Sequence, residues 1–68
     1  GHLPDYWREI VGERIAAETT QFHLERGVLY IGVRSGVVRQ ELFYQRDVLA
    51  AELNRRAGHN IVRSIIVR

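Results

Sequence analysis

Few side chains in this sequence could do chemistry, and their spacing argues against catalysis. His23 and His59 are the histidines beyond the first two residues, and neither forms a helical pair with a carboxylate or stands at metal-ligand spacing. A general base needs a positioned partner. His23 therefore reads as an exposed strand residue and His59 as part of a connection. Ser35 and Ser64 lie in no nucleophile motif. Glu9 and Glu13 are one helical turn apart, the pattern of a solvated face. Gly32 and Gly36 fit neither the dinucleotide fingerprint nor a phosphate loop. These patterns predict no enzyme, no metal and no cofactor.

The arginines are the remaining candidates. The basic residues are ten arginines and no lysine, against a net charge of only +2. Arginine's planar fork suits phosphate and carboxylate better than a lysine point charge does. Arg34 and Arg39 flank the start of a long helical stretch, while Arg55, Arg56, Arg63 and Arg68 gather near its far end and in the last strand. Two readings stay open. Such a set can neutralise a nucleic-acid backbone, an interaction that weakens with salt, with Tyr30 offering a stacking surface. It can equally be a solvated set balanced by Glu41, Asp47 and Glu52, with arginine-only usage reflecting a G+C-rich genome.

The elements that must carry these residues follow from hydrophobic period. Ser35 to Ala57 reads as one long helix, with Ser35 as N-cap, Gly58 as the residue after the last turn, and Arg55 and Arg56 at the negative end of its dipole. Val38, Leu42, Leu49 and Leu53 form its core stripe. Val37, Tyr44, Val48 and Ala51 form a second strip about a quarter turn away, which is predicted to meet a first helix. That first helix spans Leu3 to Ala17, with Trp7, Ile10, Val11 and Ile15 on one face. Gly12 inside it costs up to ~1 kcal/mol against alanine, with close helix approach as its expected return.

Thr20 to Glu25 and Val28 to Arg34 alternate as strands joined by an Arg26-Gly27 turn, with Leu29, Ile31 and Val33 facing the core. Asn60 to Arg68 reads as a third strand, apolar on both sides. That suggests a partly covered far face, by a second copy among other partners, with Val28 and Tyr30 on it. The fold class is α+β: order α-β-β-α-β, a two-layer sandwich with a three-stranded sheet and helices on one face.

Sixty-eight residues make one small domain with a marginal core. Gly1-His2 reads as a tag remnant and residues 3–68 as the single domain. The absence of cysteine excludes a disulfide framework and a zinc ribbon and is compatible with a reducing cytosol. No run has the length of a membrane span.

The spacing of several segments resembles the bacterial DciA-like family. Trp7, Ile10-Val11-Gly12 and Ile15-Ala16 are similar to its W-x-x-[IV]-V-G-x-x-[IL]-A opening, and Gly27-Val28-Leu29 with Val33 and Ser35 to its G-x-L-x-V-x-V-x-S hairpin. Arg39, Glu41 and Leu42 resemble its R-x-E-L helix start, and Leu53-Asn54 with Gly58 its L-N-x-x-x-G helix end. The chain departs from the pattern where many members have tryptophan, here Val37-Val38, and where many have histidine, here Glu18 before Thr19. The resemblance implies a K-homology-like domain without the GxxG loop, whose place is expected to be filled by one unbroken helix. It also implies a cytoplasmic, non-enzymatic adaptor that contacts the DnaB-type replicative helicase and assists its loading on single-stranded DNA. The alternative is a stand-alone nucleic-acid-binding module working through Arg34, Arg39, Arg55, Arg56, Arg63, Arg68 and Tyr30. A third possibility is an interaction domain that dimerises through the far sheet face.

Overall fold

The computed structural model describes residues 2–68, and its centre is the middle strand of a three-stranded sheet. The elements are α1 (Leu3–Val11), α2 (Glu13–Glu18), β1 (Thr19–Glu25), β2 (Val28–Val33), α3 (Gly36–Tyr44), α4 (Arg46–Ala57) and β3 (Ser64–Val67). The sheet order is β1-β2-β3. β1 and β2 are antiparallel, with Phe22 opposite Ile31 and Leu24 opposite Leu29, whereas β3 runs parallel to β2 with Leu29 opposite Ile65. The α+β class and the α-β-β-α-β order are as the sequence predicts.

The hairpin forms because Arg26 and Gly27 both take positive φ, 52° and 82°, the twist that a two-residue connection between antiparallel strands needs. Leu29 and Ile31 are wholly inaccessible and Val33 is buried. Onto this face pack Val38 and Leu42 from α3, Leu49, Ala50 and Leu53 from α4, and Trp7 from α1. The Trp7 ring NH donates to Thr19 Oγ1 at 3.0 Å, and that hydroxyl donates to the Ile15 carbonyl at 2.9 Å. One threonine thus ties α1, α2 and the start of β1 together.

The helices depart from expectation in two places. The first breaks at Gly12, whose φ of 91° ends α1. Among the described residues no atom from another part of the fold lies within 4 Å of where a Cβ would stand, so the glycine serves backbone conformation and not close helix approach. The long helix is likewise two helices. Gln45 (φ −100°, ψ 9°) sends its N–H back to Glu41 and Leu42, and Arg46 Nη1 donates to the Phe43 carbonyl at 2.7 Å. A side chain supplies what the interrupted helical ladder withholds, so the expected unbroken helix is not there. Ser35 does cap α3, accepting from the Val38 amide, and Gly58 closes α4 at φ 88°.

The second strip is also corrected. Val37, Tyr44 and Val48 are 75%, 73% and 65% exposed, and Ala51 is exposed too. Helix α1 instead meets the Leu49–Leu53 side of α4, so one stripe serves both sheet and helix. The third strand is shorter than Asn60–Arg68 because Asn54 holds the approach to it. Asn54 Oδ1 accepts from the Val62 N–H and Asn54 Nδ2 donates to the Val62 carbonyl, both at 2.8 Å. Val62 is thereby buried against α4 outside the ladder, and the strict alternation fails before Ser64.

We expect Asn54→Ala to lower unfolding stability by about 2–3 kcal/mol in chemical denaturation, since two backbone groups lose their partner in a half-buried place. Asn54→Asp should recover little, because a carboxylate cannot donate to the Val62 carbonyl.

Candidate nucleic-acid interface

The parallel pairing of β2 and β3 brings their C-terminal ends together, and with them three arginines. The Val33 N–H donates to the Arg68 carbonyl at 3.1 Å, and Arg39 Nη2 donates to the Val33 carbonyl at 3.0 Å. Arg34 follows directly, its N–H on the Glu18 carbonyl and its Nη1 3.4 Å from that of Ala17. Arg34, Arg39 and Arg68 thus surround the backbone of one residue. Among the described residues none of the three forms an ion pair.

Tyr30 lies beside this group on the sheet face away from the helices. The Arg68 guanidinium sits over its ring, 4.6 Å from the centroid, and His23 stacks alongside at 6.4 Å with planes 23° apart. Opposite Tyr30 in the register stand His23 on one side and Ile66 on the other. The far face is therefore mixed: its most apolar ring is covered by side chains of the same chain.

Arg55, Arg56 and Arg63 stand at the other end. Five residues of extended chain at roughly 3.3 Å each place Arg63 about 16 Å from Arg68, so Arg68 stands apart from the other three arginines of that stretch. Arg55 and Arg63 line one open cleft together with Asp47, Asn54, His59 and Asn60. Arg55 is bonded through two nitrogens to Glu52, at 2.8 and 3.2 Å. Arg56 bonds Glu9 of α1 at 2.8 Å and approaches Glu52 at 3.6 Å. The Arg63 stem lies over Gly27, where a Cβ would come within 2.7 Å of its Cδ. This end is a mixed-charge surface in which Arg56 joins two helices.

Two participants lay outside the sequence reading. Arg46 lies over the Phe43 ring at 4.0 Å while it bonds that residue's carbonyl. His23 joins Tyr30, a pairing that counting outward from a two-residue turn would have given. His23 also lies 3.2 Å from Glu25, both exposed. Among the described residues no three His, Asp or Glu side chains come together as metal ligands would, and no helix is long and apolar enough to cross a membrane.

The family model described as "Dna[CI] antecedent, DciA" matches residues 1–67. The chain belongs to the DciA family. DciA proteins are associated with loading of the DnaB helicase and are not an enzyme family. No curated protein and no solved structure matches this DciA chain.

The Glu52 carboxyl is held below the usual carboxylate range, first by its hydrogen bonds from Arg55 and also by the charges of Arg55 and Arg56, while Glu52 in turn raises Arg55. A depressed acid stabilises the fold above its unfolded pKa, and that contribution is lost as pH falls through the folded value. We expect the carboxyl carbon of Glu52, followed by NMR, to titrate at lower pH than free glutamate, and Arg55→Ala to move its midpoint up.

Proposed function

We propose that this DciA domain is a non-enzymatic adaptor of bacterial DNA replication, acting in the cytoplasm, that contacts the DnaB-type helicase and assists its placement on single-stranded DNA. The family match across residues 1–67 carries this reading. The energy for loading and movement comes from the helicase.

Direct contact with the DNA belongs to the same proposal and has its own support. Arg34, Arg39 and Arg68 stand at one end of the sheet with no ion pair among the described residues, and Arg68 lies over Tyr30 on the far face, so that cations and one aromatic share that end, the composition that tracks a phosphate backbone and stacks a base. Arg55 and Arg56 support it less, because Glu52 and Glu9 already occupy them. Arg63 adds charge at a separate place. The stand-alone nucleic-acid module is favoured by the same patch and differs in needing no helicase.

Titration against purified DnaB-type helicase from the same organism, followed by light scattering after size-exclusion chromatography, should give a defined complex. If neither this domain nor the full-length protein forms one, the adaptor reading fails. In oligonucleotide binding, each phosphate contact removed lowers the logarithmic salt slope by about 0.7. We therefore expect Arg34→Ala with Arg68→Ala to flatten the slope by about 1.4, and Arg55→Ala to leave it nearly unchanged.

A further inference from the structure

Among the described residues the outer edge of β3 is unpaired. The Ser64 N–H donates to the Gly27 carbonyl and the Arg68 N–H to that of Ile31. In a parallel ladder alternate residues face the neighbour, so Ser64, Ile66 and Arg68 point their backbone groups at β2, and Ile65 and Val67 turn theirs outward. Among the described residues no other element pairs with that edge. The usual protections of an edge strand are shortness, charged side chains, proline, a bulge or a covering segment, and of these Ile65-Ile66-Val67 has only the shortness of β3.

The geometry points to a second copy of this chain as the occupant, pairing β3 with β3 antiparallel about a twofold axis at Ile66. The register is self-complementary. With Ile66 opposite Ile66 of the second copy, Ile65 faces Val67 and Val67 faces Ile65, so all four outward amides and carbonyls find partners in two closely bonded pairs. The side chains agree with this. Arg68 falls opposite Ser64 and no like charges meet. On the far face the row His23, Tyr30, Ile66 continues across the axis into the same row reversed, which covers an isoleucine that is 45% exposed in the single chain. On the helix side a groove borders the same edge, lined by Gly36, Arg39, Gln40, Phe43, Tyr44 and Val67. Phe43 and Tyr44, exposed in the single chain, face the other copy's α3 across the axis, while the Arg39 fork is turned inward to the Val33 carbonyl. The joined sheet has six strands, and its interface runs along the edge, not through the far face.

Sedimentation equilibrium of the chain should give twice its 7.9 kDa mass. Ile66→Glu and Ile66→Lys, each placing two like charges face to face, should each return a single-chain mass with an unchanged circular dichroism spectrum, and mixing the two should restore the pair as a heterodimer. Amide exchange of the unaltered chain gives a check free of substitutions, since the Ile65 and Val67 amides should be slow at high concentration and fast on dilution. A single-chain mass at millimolar concentration overturns the proposal. So does a dimer that survives Ile66→Glu, or one whose dilution leaves the Ile65 and Val67 amides unchanged.

Discussion

A parallel strand cannot be reached by a hairpin, so β3 arrives beside β2 only after the chain has crossed the sheet through α3 and α4. The crossing must end at one register, because a slip of one residue would turn Ile65 out of the core and Ile66 into it. The two hydrogen bonds between Asn54 and Val62 set where the strand begins. They act before the ladder starts: from Asn54 the chain has only to reach Gly27, whose carbonyl receives the Arg63 and Ser64 amides at 2.7 and 3.2 Å. A small domain has little apolar area to spend on alternatives. A single amide that fixes the last strand therefore matters more here than it would in a larger core.

The same constraint sorts the charges. Because β2 and β3 end together, Arg68 is delivered to Val33, where Arg39 already bonds the carbonyl and Arg34 continues the chain. Arg55 and Arg56 are carried by α4 to the opposite end, within reach of Glu52 and Glu9. The two groups differ in kind. A guanidinium bonded to backbone carbonyls keeps its full charge toward solvent, whereas one held bidentate by a carboxylate offers little net field. A modest net charge of +2 thus conceals an uneven distribution.

Much of this was legible in the sequence where a local rule was decisive. Alternation around Arg26-Gly27 located the hairpin and the inward set Leu29, Ile31 and Val33, and the Ser35 cap and the Gly58 stop lie where residue type placed them. The break at Gln45 was not legible, since glutamine is an ordinary helix residue and the interruption is stabilised by a side-chain bond from Arg46 that no periodicity announces. The second strip followed from treating the stretch as unbroken; once the helix divides, Val37, Tyr44 and Val48 are left outside. Gly12 was visible as a cost, but a positive φ and a close approach look alike in sequence. The separation of Arg68 from Arg55, Arg56 and Arg63 has a topological reason, because nearness along the sequence says nothing about which end of the sheet each residue occupies.

Tyr30 shows how such a patch can be pre-arranged without being blocked. In the free chain the ring is occupied by Arg68, at 4.6 Å, and flanked by His23. A cation over an aromatic ring is worth about 0.5–1 kcal/mol at an exposed site and about 2 kcal/mol when desolvated, Tyr30 being half-buried, while a stacked base contributes about 1–3 kcal/mol. Under the proposed DNA contact a base would take the place of the guanidinium on the ring, and the arginine it releases would be free to meet a phosphate. Before that exchange the ring limits the rotamers of Arg68, so less side-chain entropy is lost when the phosphate contact forms. In that proposal the residue that stacks and the residue that neutralises would act as one unit, which requires that β3 deliver Arg68 to this register and no other.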